Sequence, residues 1–203
     1  GHEVRALVVP NDDYAAVLDG LDVQMFGGRL CDRQVLQSAA EGVDAVCHLA
    51  GALTSRANTE SEFLEWNLRG TYNVLLAVRD RAPGLKRFAF ASSDAVYYLG
   101  KRHPVALPID EDSPRMAGSV YGATKICAED ICLAFHCSFG VPTTVLRFGA
   151  TADRSELIDP RSVFSRWLFL TGAIEFLQEQ HDGVGLYGHK TQEPNEHRKP
   201  PLS

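Results

Sequence analysis

The sequence predicts an α/β protein built on a doubly wound parallel sheet, and three observations carry that prediction. Short β-branched, apolar runs alternate with longer helical runs, the order that a parallel sheet with crossover helices requires. Glycine and proline fall between the runs, where the chain must turn. The chain has 203 residues, 45% hydrophobic and 23% charged, enough for one well-cored domain and the start of a second.

The elements follow in order. "HEVRALVV" (2–9) is a strand ending at Pro10; a short helical stretch covers Asp12 to Leu18, and "LDVQMF" (21–26) is the second strand. "DRQVLQSAAEG" (32–42) is a helix capped by Asp32, with Val35, Leu36 and Ala39 on one face and Gly42 at its end. "VDAVCHLAG" (43–51) is a buried strand running into a glycine turn, and one long helix spans Glu60 to Arg81 before "APG" stops it. "KRFAFASS" (86–93) is a strand, and 94–117 is a long loop. A helix over 118–139 precedes the last strand, "VPTTVLRFG" (141–149). These strands are expected to form one parallel sheet covered on both faces. The stretch 161–180 has helical periodicity with large apolar residues, and 189–203 has the composition of a disordered tail.

Composition excludes several functions. A net charge of −6 argues against a nucleic-acid or anionic-membrane surface, which needs a basic face. No apolar run is long enough to span a bilayer, and the N-terminal residues lack a secretion-signal pattern, so a cytoplasmic location is expected. The five cysteines show no metal-ligand spacing; reduced, mostly buried thiols and no metal are expected.

The chemistry centres on "SVYGATKICAE" (119–129). Four-residue spacing puts Tyr121 and Lys125 on one helical face, where an ammonium beside a phenol would lower its pKa and make it an acid–base group. Ser92 and Ser93 end a strand, at the sheet edge where ligands of open α/β folds collect. A serine brought there beside Tyr121 could hold a substrate hydroxyl or carbonyl.

With those segments, "GHEVRALV" (1–8), "GVDAVCHLAG" (42–51), "NLRGTYNVLLA" (67–77), "RFAFASSDAVY" (87–97), "PIDEDSP" (108–114) and "VLRFG" (145–149) occur in the order of one family. The chain resembles the extended short-chain dehydrogenase/reductase family, also called the NAD-dependent epimerase/dehydratase family. The resemblance implies a Rossmann-like fold and an enzyme that transfers hydride between NAD or NADP and a hydroxyl or carbonyl of a small molecule, a nucleotide sugar being one candidate. It implies Tyr121 as acid/base, Lys125 as its pKa-lowering partner and ribose ligand, and Ser93 as binder of the reacting oxygen, with Ser92 the alternative. Leu30, Leu49, Ala50, Gly51, Asn67, Phe148 and Gly149 would border the cofactor, and His48 would be structural. A homodimer would form through the helices at 60–81 and 118–139, with Phe63, Trp66, Phe135 and Phe139 either in that interface or in the core.

The family's first strand, glycine-rich turn and helix have no counterpart, since the sequence opens at "GHEV". The fold is therefore expected to be incomplete at its N-terminus, with a gap in the sheet centre and exposed strand edges. "GVGLYG" (183–188) matches a phosphate-loop pattern but lacks the strand–turn–helix context. Arg29 stands where an acidic residue would meet adenine, and aspartates beyond Val9 mildly favour NAD. The expected organisation is a Rossmann-like domain over 1–150, a partial substrate-binding lobe over 151–188 and the tail over 189–203. The alternative function is a catalytically impaired pseudoenzyme or a dimerising module of the same fold.

Overall fold

A computed structural model describes residues 1–53, 59–97, 108–149 and 151, except the side chains of Asp13 and Tyr14. The helical stretch 161–180, the 183–188 glycine pattern and the 189–203 tail lie outside the described residues. Gly1–Gly149 form one compact unit and Ala150–Ser203 a second.

In the first unit the strands are β1 (Val4–Val8), β2 (Val23–Gly27), β3 (Ala45–His48), β4 (Arg87–Ser93) and β5 (Thr143–Phe148). The helices are α1 (Arg33–Ala40), α2 (Glu60–Glu62), α3 (Gly70–Arg81) and α4 (Val120–Phe139). All strand pairs are parallel, but they make two sheets, β1–β2 and β3–β4–β5. The single sheet expected from the alternation is thus divided between β1 and β3, where the expected gap falls. Among the described residues one edge of each of these two strands has no partner strand.

Helix α1 packs on α3, and α3 on α4, so the three helices form one layer. Under it, Phe88, Phe90 and Ser92 of β4 are buried, whereas Ala89 and Ala91 on the alternate face are only half-buried. Leu75 and Val78 of α3 and Cys132 of α4 complete the densest part of this core. The two-sided cover expected for the sheet is therefore one-sided among the described residues.

Two local expectations also change. Asp32 makes no side-chain cap to α1; its Oδ2 instead accepts from the Arg29 N–H at 2.7 Å. Cys31, Cys47, Cys127 and Cys137 are exposed and only Cys132 is buried, which corrects the expectation of buried thiols. Five-residue spacing steps Cys127, Cys132 and Cys137 around α4, so only the middle one reaches the core. There burial, the largest cause, pushes its thiol up to about 12. Among the described residues no helix is long and apolar enough to cross a membrane, and no group of His, Cys, Asp or Glu is arranged to hold a metal.

Candidate active site

Parallel strands end on one edge, and here β3, β4 and β5 end at His48, Ser93 and Phe148, with Ser93 in register with Phe148. Helix α4 starts beside that edge. The Ser119 hydroxyl caps it by accepting from the Gly122 N–H at 3.1 Å. A Cβ at Gly122 would run into the Ala95 carbonyl oxygen, so only glycine lets the helix approach the β4 end so closely. This brings Tyr121 to the β4 end, where Ser93 donates to Asp94 Oδ1 at 3.0 Å and accepts from the Ala95 N–H at 3.1 Å. The Phe63 ring packs edge-on to Tyr121 at 6.0 Å between centroids.

Lys125, one turn further along α4, is 5% exposed and donates to the Ala91 carbonyl at 2.9 Å. Its Nζ lies 5.1 Å from the Phe90 ring centroid and 5.9 Å from that of Tyr121. Burial holds its pKa below the ordinary lysine range. Burial also raises the Tyr121 pKa; the neighbouring Ser93 hydroxyl opposes this by favouring the phenolate, and Asp94 adds to it. The expected lowering of the phenol pKa by Lys125 is therefore not found. The ammonium is spent on a backbone carbonyl, and desolvation of the phenol prevails.

The helix expected over 60–81 is interrupted: Phe63–Arg69 between α2 and α3 is π-helical, a form often found at functional sites. Asn67 in this segment is 1% exposed. Its Oδ1 accepts from Ala52 N–H at 2.6 Å, and its Nδ2 donates to Ala52 O and Thr124 Oγ1, both at 3.2 Å. Thr124 in turn donates to the Tyr121 carbonyl at 2.8 Å. Asn67 thus fastens the turn after β3 to the first turns of α4. A Cβ at Gly51 in that turn would sit 2.7 Å from Asn67 Oδ1, which accounts for the glycine.

His48 is buried against Phe88 and Phe90, and burial pushes its pKa down to about 4. The Thr71 hydroxyl donates to Asn67 O at 2.6 Å, so neutral His48 donates from Nε2 to Thr71 Oγ1 at 2.9 Å. Its position is structural.

Ser92 does not reach the site. Strand alternation turns it to the buried face with Phe88 and Phe90, where it donates to Glu129 Oε1 at 2.5 Å. Leu30 is likewise committed elsewhere: its side chain packs over Gly70, and its carbonyl accepts from Asn73 Nδ2 at 2.8 Å. Leu49, Ala50, Phe148 and Gly149 lie exposed at the strand ends. Of the aromatic residues on the two long helices, Phe135 is core at 5% exposure, while Phe139 is exposed at 54%.

Glu129 is a site-supporting residue that sequence reasoning missed. It is 4% exposed, with Arg147 donating to both its oxygens at 3.0 and 2.8 Å and Arg115 donating at 3.0 Å. Burial pushes this carboxyl up, but Arg147, Ser92 and Arg115 together hold it below its ordinary range. Arg147 also bonds Tyr97 Oη and Glu111 O, which ties the segment before α4 to β5. The signal was present in the Tyr121, Lys125, Glu129 spacing, a single helical face with four-residue steps.

Exposed Leu49 after β3 and Phe148 at the end of β5 offer apolar surface of the kind a nicotinamide ring would need. They do not provide a pyrophosphate cradle. At the turn between β2 and α1 the Asp32 carboxylate accepts from the Arg29 N–H in the turn and makes no cap to the helix N-terminus.

The topology, the Ser93–Tyr121–Lys125 cluster and its strand-end position define a Rossmann-like short-chain dehydrogenase/reductase architecture. The model of the NAD dependent epimerase/dehydratase family matches residues 1–165, and the chain belongs to that family. Uronate dehydrogenase of Pseudomonas syringae pv. tomato is 32% identical over 153 residues, covering 75% of this chain and 51% of that protein. A 4-hydroxy-2-methyl-3-oxo-4-farnesyl-3,4-dihydroquinoline-1-oxide ketoreductase of Stigmatella aurantiaca is 36% identical over 177 residues, covering 83% of this chain and 51% of that one. The chain therefore spans about half the length of these relatives. Among solved structures, a short-chain dehydrogenase/reductase superfamily protein from Agrobacterium tumefaciens with bound NAD superposes with a TM-score of 0.63 at 29% identity, covering 89% of this chain and 63% of that one.

Proposed function

We propose that this chain carries the catalytic half of an NAD(P)-dependent oxidoreductase or epimerase acting on a hydroxyl or carbonyl of a small molecule, a sugar or nucleotide sugar being the favoured class. The observation that carries the reading is the placement of Tyr121 and Lys125 on α4 beside the shared end of β4 and β5, where Ser93 ends β4 in register with Phe148 and Lys125 donates to Ala91 O. A bound nicotinamide would supply or accept the hydride. Ser93 binds the reacting oxygen, and Tyr121 gives it a proton or takes one. Lys125, Leu49, Phe148 and Gly149 border the nicotinamide and its ribose. The raised phenol pKa keeps Tyr121 protonated near neutrality, so carbonyl reduction runs at neutral pH and hydroxyl oxidation gains as pH rises. NAD is favoured over NADP by the aspartate that follows β1 and by the NAD bound in the Agrobacterium relative. The protein acts in the cytoplasm and pairs with a second copy through α3 and α4, whose exposed Tyr72, Leu133 and Phe139 support such a contact.

A second reading, an inactive dimerising member of the fold, is favoured by the exposed Tyr72, Leu133 and Phe139 on α3 and α4. Calorimetric titration of the 203-residue chain with NADH and with NADPH separates the two. Saturable binding together with carbonyl reduction that Tyr121→Phe abolishes supports the enzyme. A dimer by light scattering that binds neither cofactor supports the second reading.

A further inference from the structure

We propose that Arg147 is a positioning residue for Tyr121, acting through a clamp on the chain that leads into α4. The inference rests on the reading of Tyr121 as acid/base. It starts from the sheet register: Arg147 on β5 lies beside Ser92 on β4, so both side chains leave the same face of the sheet. There the buried Glu129 carboxylate of α4 accepts from the Ser92 hydroxyl and from two N–H groups of the Arg147 fork at 3.0 and 2.8 Å.

The rest of the fork points the other way. Arg147 Nη1 donates to Tyr97 Oη and to the Glu111 carbonyl, the latter at 3.1 Å. Tyr97 Oη donates in turn to the Asp110 carbonyl at 2.9 Å. Residues 108–118 form neither helix nor strand, so no ladder of their own fixes them. These bonds fix them instead, together with Met116 N–H on Val96 O at 2.9 Å and Arg115 on Glu129 and Asp130 at 3.0 and 2.6 Å. One planar guanidinium meets the helix carboxylate on one side and the segment's carbonyls on the other. A lysine ammonium, a point charge on a flexible stem, cannot hold both sides in one geometry.

The clamped segment runs directly into Ser119. Its hydroxyl and carbonyl accept from the Gly122 and Ala123 N–H groups at 3.1 and 2.9 Å, and Tyr121 lies between these anchors. Gly122 already abuts the Ala95 carbonyl, so a displacement of this first turn is felt at once at the β4 end. The other supports act beyond Tyr121 in the chain: Asn67 holds Thr124, and Lys125 holds Ala91 O. The clamp is thus the support on the N-terminal side of the phenol.

The test is hydrogen exchange of single amides, followed by nuclear magnetic resonance in the 203-residue chain without cofactor. Arg147→Lys keeps the charge and gives up the fork. It is expected to speed exchange at the Gly122 and Ala123 amides about tenfold, while the Cys132 and Phe135 amides further along α4 stay within about twofold. Tyr97→Phe leaves Glu129 paired with both arginines, so it should act on the same two amides, by about threefold. In both variants the Tyr121 Cζ resonance should move and that of Tyr72 on α3 should not, a signature that a loss of overall stability does not produce. Equal acceleration along the whole of α4, or no change at Gly122 and Ala123 in either variant, overturns the clamp. Turnover is scored separately. Where the wild-type chain reduces a carbonyl with NADH, both variants should lower kcat and leave KM little changed; an effect on KM alone overturns the positioning role. A wild-type chain that binds neither NADH nor NADPH sinks the proposed enzyme, and the exchange pattern still decides the clamp.

Discussion

The two sheets are alike in chemistry and unlike in consequence. Both are parallel and built from apolar strands, yet β3–β4–β5 lies under α3 and α4 while β1–β2 has little cover. Phe88 and Phe90 on β4 are at most 1% exposed, whereas Val4 on β1 and Met25 on β2 are 46% and 57% exposed. The Tyr121–Ser93 pair stands on the covered half. The proposed acid–base role needs its partners held to within about half an ångström, and close packing beneath the strand ends suits that. The β1–β2 half carries no residue of the pair.

The comparison is broken most severely from its dense side. Phe90→Ala should cost about 3–5 kcal/mol, by loss of a buried ring and the cavity left behind, and denaturant midpoints measure it. Met25→Ala on the open half should stay within about 0.5 kcal/mol. Equal costs would mean that the two halves share one core.

Glu129→Ala should cost roughly 3 kcal/mol, because it strips a buried carboxylate from two guanidinium groups. The pH sign follows from the direction of its shift. A carboxyl held below its ordinary range contributes stability that is fully present above the unfolded value and is lost as pH falls through the folded one. The gap between wild type and Glu129→Gln should therefore close on acidification. A gap independent of pH would mean that the ion pairs contribute nothing.

His48 gives a further acid-sensitive effect on the same half. Buried and neutral, with its pKa pushed down to about 4, it binds fewer protons folded than unfolded. Stability should fall as pH drops from about 6.5 towards 4, by roughly 3 kcal/mol at most. His48→Asn should remove that slope from stability curves taken at stepped pH, whatever it does at pH 8. The smallest effect belongs to the exposed Lys86–Asp44 pair: Lys86→Ala should leave the melting midpoint unmoved within error.

How much was legible varies by residue. The strand positions could be read because β-branched runs between turn residues have few other uses, and Tyr121 and Lys125 could be read from helical spacing. Which of two adjacent serines faces the site could not, because alternation specifies opposite faces and not which face is the core. Ser92 fell to Glu129, and Ser93 to Asp94 at the strand end. The π-helical turn at Asn67 left no signal in a helical pattern that otherwise continues, since it is fixed by bonds to Ala52 and Thr124 distant in sequence. Cysteine exposure was misread for a related reason: a small apolar residue suits either face of a helix or strand that is covered on one side only.

By itself, the sequence determined the order and type of the elements, the family, and the identity of the acid–base candidates, because local propensity, turn residues and fixed spacing act over short stretches of chain. Only the tertiary structure decided that the sheet divides between β1 and β3, that Lys125 spends its charge on Ala91 O, and that the Tyr121 pKa rises. Those outcomes depend on which groups are removed from water and which carbonyls lie within reach, and burial is a property of the packed chain.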